Sequence, residues 1–175
     1  NIISFILYPI SLILLSILTL KKNLKPKKFK IKSICVGNIF IGGTGKTSLS
    51  IAIFKIVNKK FKTTFIKKKY TNQLDEKRLL AKYGNVIFED ERIKALNIAQ
   101  KNYKMAILDD GLQQKNIKYD LKIVCFNSVK LAGNGFVIPA GPLRETLDSI
   151  KTYDIVLING NFNKETKNFI KKLKD

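Results

Sequence analysis

The stretch Gly42-Gly43-Thr44-Gly45-Lys46-Thr47 decides the fold of this chain. It follows a short apolar run typical of a strand and precedes a longer apolar run, Leu49 to Val57, typical of a helix. Glycines let backbone N–H groups converge on phosphate oxygens, and a following helix adds its positive N-terminus. Strand, glycine loop and helix in this order therefore predict a phosphate-binding loop, and the alternative is an ordinary tight turn.

Individual residues of this loop have predicted roles in binding ATP and Mg²⁺. Lys46 would neutralise charge on the terminal phosphates, and the Thr47 hydroxyl would ligate Mg²⁺. A strict Walker A motif has glycine at the position of Phe40, so the match covers the inner six residues. Nucleotide contacts are predicted for the whole segment: Phe40, Ile41, Gly42, Gly43, Thr44, Gly45, Lys46 and Thr47.

A second apolar run, Met105 to Leu108, ends in the two carboxylates Asp109 and Asp110. A strand that ends in Asp downstream of a phosphate loop is typical of a Walker B element, so we expect Asp109 to hold Mg²⁺ opposite Thr47. We expect loss of Asp109 to abolish turnover and to leave the fold intact. Adjacent carboxylates repel unless a cation is near, which favours a catalytic role for Asp110 over capping of the next turn.

From residue 31 onward, short apolar runs alternate with longer mixed stretches, as in strand-helix-strand repeats. The pattern predicts strands over residues 31–36, 63–66, 86–88, 105–108, 122–126 and 154–158, and helices over 46–58, 76–82, 93–102 and 164–173. We therefore predict a three-layer, P-loop NTPase-like α/β domain with a mostly parallel sheet over residues 25–175.

Residues 2–20 are apolar apart from a few Ser, Thr, Tyr and Pro side chains, and seven lysines follow within a dozen residues. As a helix, residues 2–20 would extend about 28 Å, close to the thickness of a bilayer core. Lysines flanking an apolar helix favour the cytoplasmic side. We predict that residues 1–24 form a membrane-associated helix with a basic flank, either spanning the bilayer or lying in its interface; the alternative is a buried N-terminal helix.

The charge of the chain narrows the range of its partners. Lys and Arg total 33 against 13 Asp and Glu, which gives a formal net charge of +20 and favours anionic partners such as anionic lipid. The chain has three arginines, Arg78, Arg92 and Arg144. Proteins that bind nucleic acid commonly use bidentate arginine contacts to bases and phosphates, so we expect no nucleic-acid partner. Two isolated cysteines and the lack of His disfavour a Cys/His metal site and a disulfide framework.

Three segments taken together are similar to one family. They are Val36-Gly37-Asn38 leading into the glycine loop, Leu108-Asp109-Asp110-Gly111-Leu112-Gln113, and Gly133-Asn134-Gly135 followed by Pro139-Ala140-Gly141-Pro142-Leu143-Arg144-Glu145. From about Ile31 to Gly160 the sequence resembles the tetraacyldisaccharide 4'-kinase (lipid A 4'-kinase) family. The resemblance implies transfer of the ATP γ-phosphate to the 4'-hydroxyl of a glycolipid, the lipid A precursor tetraacyldisaccharide 1-phosphate, at the cytoplasmic face of the bacterial inner membrane.

The resemblance also implies roles for residues outside the phosphate loop. Asp75 is the implied catalytic base near the acceptor hydroxyl, and a helix N-cap is its alternative role. Arg144 sits in a rigid Pro-Ala-Gly-Pro segment and is implied to clamp the transferring phosphoryl group together with Lys46, whereas the alternative is a surface ion pair. Arg92 is a weaker candidate for a phosphate contact. The family's Ser-Arg-Gly-Tyr motif corresponds here to Lys67-Lys68-Lys69-Tyr70, which keeps charge and loses the Arg fork.

Two departures from the family pattern bear on activity. Gln114 stands where the family commonly has His, and we expect the C-terminal lobe that the family resemblance implies to be absent. We therefore expect an N-terminal fragment or a reduced homologue that comprises the nucleotide-binding core. The alternative function is a membrane-associated P-loop switch ATPase that controls partner binding. Such partition-type ATPases carry an additional lysine where this chain has Ile41, which disfavours that alternative.

Overall fold

The computed structural model describes residues 2–20, 25–70 and 74–174. The helices are α1 (Ile2–Leu20), α2 (Lys46–Val57), α3 (Leu74–Ala81), α4 (Arg92–Asn102) and α5 (Lys164–Lys174). The strands are β1 (Lys32–Gly37), β2 (Thr63–Lys68), β3 (Val86–Glu89), β4 (Met105–Asp109), β5 (Leu121–Asn127) and β6 (Ile155–Asn159). Every predicted strand and helix is confirmed, with bounds that differ by at most two residues, and a 3-10 helix over Leu147–Thr152 was not predicted.

The six strands form a parallel sheet in the order β3-β2-β4-β1-β5-β6. The register of its centre aligns three residues at the carboxyl ends of neighbouring strands, because Asp109 of β4 pairs with Val36 of β1 on one side and with Lys67 of β2 on the other. Ligands bind at the carboxyl ends of the strands in sheets of this kind. The predicted α/β fold class is confirmed.

One compact unit of the chain comprises Lys25–Gly37 and Lys46–Ile123. Its core is formed by the central strands, where Phe65, Ile66 and Ile107 are completely buried. Phe54 of α2 stacks on Phe65 with 4.4 Å between the ring centroids, which fixes α2 against β2. Strands buried on both faces need near-continuous apolar runs, which explains why the apolar runs in the sequence located them so closely.

The second compact unit comprises Asn1–Leu24, Asn38–Gly45 and Val124–Asp175. Within it, α1 is tied to the segment around residue 137, since the Ser11 hydroxyl donates to the carbonyl of Val137 at 2.9 Å and accepts from the N–H of Ala140 at 3.1 Å. Phe126 of β5 packs edge to face on Phe169 of α5. Across the residues that the structure describes, no helix combines the length and apolarity needed to cross a bilayer.

Candidate active site

Residues 38–45 form an irregular loop that an internal amide shapes. Asn38 is completely buried, and its side-chain N–H groups donate to the carbonyls of Phe40 and Gly42. Gly42 and Gly45 have φ angles of 113° and 87°, in the left-handed region that favours glycine. A Cβ atom on Gly45 would also collide with the side-chain amide of Asn159. This conformation therefore requires glycine at two of the predicted loop positions.

The remaining loop positions differ in exposure. Ile41, Gly42 and Gly43 are exposed, whereas Thr44 is buried. Lys46 is half-buried and is the first residue of α2. The first N–H groups of a helix have no intrahelical acceptor, so the start of α2 and the Lys46 ammonium can together attract an anion.

The segment that carries Arg144 pairs with the beginning of this loop. Three residue pairs make the contact: Phe40 bridges Leu143 in an antiparallel sense, the Ile41 N–H donates to the Pro142 carbonyl (2.8 Å), and the Arg144 N–H donates to the Ile39 carbonyl (2.6 Å). Phe40 and Leu143 are both buried, so the pairing is anchored in the core of its unit. The structure thus places the backbone of Arg144 beside the start of the phosphate loop, and its role as a phosphate clamp stays a prediction.

The last residue of β4, Asp109, meets the first turn of α2. Asp109 is completely buried; its Oδ2 accepts from the Thr47 hydroxyl at 3.3 Å, and its Oδ1 accepts from the Ser50 hydroxyl at 3.4 Å. The structure brings Thr47 and Asp109 together, as a Mg²⁺ site would require. Ser50, one helical turn further along α2, was not predicted as a site residue.

Thr47 and Asp109 also suit Mg²⁺ by the chemistry of their donor atoms. Mg²⁺ prefers hard oxygen ligands and is usually held by one or two carboxylates together with substrate phosphates and water. Among residues 2–20, 25–70 and 74–174, no group of three or more His, Cys, Asp and Glu side chains could hold a metal ion. A hydroxyl and a single carboxylate therefore fit a metal whose coordination is completed by the nucleotide.

From sequence, Lys67 was identified only as part of the segment that corresponds to the family's Ser-Arg-Gly-Tyr motif, and its position beside Asp109 was not predicted. It is 1% exposed, its Nζ lies 2.7 Å from Oδ2 of Asp109, and it also contacts the carboxylate of Glu76. Burial lowers the pKa of Lys67, but Asp109 and Glu76 outweigh burial and raise that pKa above its usual value, so the ammonium form persists. The available signal was its position, because Lys67 directly follows the apolar run of β2 at the ligand-binding edge of the sheet.

Asp75 lies outside this cluster. α3 begins at Leu74, so Asp75 occupies the first helical turn; its side chain is 99% exposed, and its carboxylate lies 3.7 Å from the Arg78 guanidinium. Its neighbour Glu76 is the carboxylate that reaches Lys67. The structure therefore brings Glu76, and not Asp75, to Lys67, the ammonium partner of Asp109, and the role of Asp75 as a base stays a prediction.

The turn after β4 holds Asp110 in a constrained backbone conformation. Asp110 has a φ of 62°, which is uncommon for a residue other than glycine, and its N–H donates to the carbonyl of Val36 at 2.8 Å. The buried Arg92 guanidinium donates to the Asp110 carbonyl and, at 3.2 Å, to Oε1 of Gln114. Arg92 therefore fixes this turn, with Gln114 as its second partner, while the catalytic role of Asp110 stays a prediction.

Comparisons with known proteins agree with the resemblance. Residues 3–174 match the family model described as tetraacyldisaccharide-1-P 4'-kinase. The tetraacyldisaccharide 4'-kinase of Pelagibacter ubique (strain HTCC1062) is 51% identical over 160 residues, which cover 90% of this chain and 51% of that protein. The protein of the same name from Francisella tularensis subsp. holarctica (strain OSU18) is 29% identical over an alignment of 203 positions. That alignment covers all of this chain and 63% of the Francisella protein.

A solved structure gives the same result. The crystal structure of LpxK from Aquifex aeolicus, described as an "apo" form in complex with ATP, has a TM-score of 0.79 and 25% identity, and the match covers 92% of this chain and 62% of that one. The chain thus spans between about half and just under two thirds of the length of these relatives. Because the family model covers almost every residue, this chain belongs to the tetraacyldisaccharide-1-P 4'-kinase family.

Proposed function

We propose that this chain binds Mg-ATP and transfers the γ-phosphoryl group to the 4'-hydroxyl of tetraacyldisaccharide 1-phosphate. One observation carries the proposal of Mg-ATP binding. Thr47, which follows the glycine loop, donates a hydrogen bond of 3.3 Å to the buried carboxylate of Asp109. The acceptor follows from the family, whose relatives are named for it. Family membership favours the kinase over the switch ATPase.

Within this proposal the catalysis is electrostatic. The protein has little covalent chemistry to perform in phosphoryl transfer, so positioning and charge neutralisation carry the reaction. Lys46 and Arg144 would neutralise the transferring phosphoryl group, and Thr47 and Asp109 would hold Mg²⁺. The bound ion supplies charge neutralisation on the phosphate oxygens.

The transfer also needs a group that removes the acceptor proton. The 4'-oxygen forms a bond to the γ-phosphorus, the bond from that phosphorus to ADP breaks, and the hydroxyl proton goes to a base. We propose Asp75 for this role on the basis of the family resemblance. Its exposed carboxylate is open to a large glycolipid, and its helix is joined to the Asp109 cluster through the neighbouring residue, Glu76.

We further propose that α1 lies in the interface of the inner membrane, on its cytoplasmic face. One side of the helix is held by protein contacts through Ser4, Tyr8 and Ser11. Large apolar side chains elsewhere on α1 are exposed: Ile2, Ile3, Ile6, Ile10, Leu12 and Ile13. A helix with one occupied side and one exposed apolar side suits an interfacial position, and the exposed Lys25, Lys27 and Lys28 suit anionic head groups.

Labelled ATP tests the kinase proposal directly. The protein is incubated with γ-labelled ATP, Mg²⁺ and the disaccharide in vesicles that contain phosphatidylglycerol, beside a Lys46→Ala control. Label that appears in the lipid with the wild type and not with the control supports the proposal. Nucleotide-dependent dimerisation without labelled lipid would contradict it and would support the switch ATPase.

The membrane proposal has a separate test. We expect the protein to sediment with phosphatidylglycerol vesicles much more than with phosphatidylcholine vesicles, and added salt should weaken the binding because it screens the lysines. An Ile6→Ser, Ile13→Ser variant changes only exposed side chains and should lose most of the binding. Equal sedimentation of variant and wild type would show that α1 does not insert.

A further inference from the structure

The Lys67 ammonium forms an ion pair with Asp109, the carboxylate that the proposed function assigns to Mg²⁺. Oδ2 of Asp109 accepts from Lys67 at 2.7 Å and from Thr47 at 3.3 Å. Ser50 occupies the other oxygen at 3.4 Å. The shortest of these contacts is therefore the one with the positively charged Lys67. Lys67 and Thr47 both donate to the same oxygen, Oδ2 of Asp109.

We propose that Lys67 is an internal counter-ion that occupies Asp109 in the absence of metal and moves to Glu76 alone when Mg²⁺ binds, so that it sets the Mg²⁺ concentration at which nucleotide is bound. This inference rests on the proposed Mg-ATP function. It assigns Lys67 and Glu76 as positioning residues of the metal site rather than as contacts of the substrate.

The burial of the cluster explains why a counter-ion is present. Asp109 is 0% exposed, and a buried carboxylate without a partner is strongly unfavourable. Lys67, itself 2% exposed at its side chain, neutralises that carboxylate. A divalent cation and an ammonium group both need the lone pairs of the same oxygen and repel each other. Bound metal at Asp109 is therefore in competition with Lys67.

Glu76 gives Lys67 a second partner. Its side chain is 42% exposed and already contacts the Lys67 ammonium, so the lysine can leave Asp109 without becoming an unpaired buried charge. The flexible four-carbon stem of lysine permits this shift without movement of the backbone. The register pairing of Lys67 with Asp109 keeps the two residues adjacent in either state.

The first test measures the Mg²⁺ dependence of nucleotide binding instead of turnover. Calorimetric titrations with ATP at a series of Mg²⁺ concentrations give the half-saturating Mg²⁺ concentration, and electron paramagnetic resonance with Mn²⁺ reports metal binding directly. We expect Lys67→Met to lower both the half-saturating Mg²⁺ concentration and the Mn²⁺ dissociation constant about tenfold, because the competing cation is removed. Lys94→Met removes the same charge from an exposed position on α4, outside the site, and should leave both values unchanged.

The second variant works in the opposite direction. Glu76→Gln removes the alternative partner of Lys67 and should raise the half-saturating Mg²⁺ concentration several-fold. Because Glu76 is partly exposed, this variant is expected to fold, and it decides the question if Lys67→Met does not fold. A folded Lys67→Met protein with an unchanged or higher Mg²⁺ requirement, or a Glu76→Gln protein with an unchanged or lower one, overturns the inference.

The outcome for the wild type separates the two proposals. A wild-type protein that binds no ATP at any Mg²⁺ concentration overturns the proposed function and this inference with it. A wild-type protein that binds Mg-ATP, with variants that do not shift the metal requirement, overturns only the role of Lys67.

Discussion

The backbone N–H of Arg144 lies 2.6 Å from the carbonyl oxygen of Ile39 and donates a hydrogen bond to it. Ile39 is completely buried one residue after Asn38, the amide that shapes the phosphate loop. The segment that carries Arg144 is therefore positioned through its backbone. The guanidinium takes no part in this hydrogen bond, so the hydrogen bond itself does not depend on the identity of the side chain.

Replacement of Arg144 by Ala should lower kcat for phosphoryl transfer about a hundredfold, because a positive charge on the transferring group is lost. The melting temperature should stay within about 2 °C of the wild type, since the backbone hydrogen bond to Ile39 does not depend on the side chain. Steady-state kinetics and thermal melts check both values. Lys94→Ala removes an exposed positive charge from α4 and is the matched control. Full activity of Arg144→Ala would remove this residue from the clamp.

Replacement of Gly45 by Ala should destabilise the protein by about 2 kcal/mol and abolish ATP binding. Gly45 has a φ of 87°, where a side chain costs about 1–2 kcal/mol, and the new Cβ would collide with Asn159. Urea unfolding and ATP calorimetry measure the two effects. A Cβ on Gly43 would meet no atom within 4 Å, so Gly43→Ala should change the unfolding free energy by less than about 0.5 kcal/mol. Equal unfolding free energies for the two variants would contradict the loop conformation.

Replacement of Asp109 by Asn should lower the unfolding free energy by about 3 kcal/mol in addition to abolishing turnover. From sequence we expected an intact fold. The structure changes that expectation, because Lys67 is buried and would keep only Glu76 as a charged partner. A double-mutant cycle with Lys67→Met measures the effect: the double variant should be more stable than the sum of the single changes predicts. Strict additivity would show that the buried ion pair does not contribute.

The thiol of Cys35 should resist alkylation in the folded protein. Burial raises the pKa of Cys35 from 9.0 to about 12, even though Arg92 lowers it, so almost no thiolate is present at pH 8. Because the folded state favours the neutral thiol, this contribution to stability is complete below pH 9 and is lost as pH rises towards 12.

Iodoacetamide labelling followed by intact-mass measurement tests this prediction. A Cys125→Ala variant isolates Cys35, since the chain has two cysteines. We expect one label in denaturant and almost none in native buffer at pH 8. Rapid native labelling at the rate of a free thiol would show that Cys35 is accessible.

The sequence predicted the secondary structure closely because the signals are local. Strands of a parallel sheet are apolar on both faces, so each appears as a short continuous apolar run, and glycines and turns separate the runs. The 3-10 helix over Leu147–Thr152 was missed because its six residues are too few for a helical period to emerge. The N-terminal helix was found for the same reason as the strands, but its attachment to Val137 and Ala140 was not, since that contact joins residues more than a hundred positions apart.

For the site, the sequence alone determined the glycine loop, Lys46, Thr47, the carboxylate at the end of β4 and, through its motifs, the family. Each of these features lies in a short contiguous segment, so the residue types and their spacing in the sequence are enough to identify it. Only the tertiary structure decided that Lys67 lies beside Asp109, that Glu76 rather than Asp75 joins them, and that the Arg144 segment pairs with the start of the loop. Strand order and register depend on how apolar faces pack across the whole sheet, and no local pattern specifies which strand ends become neighbours.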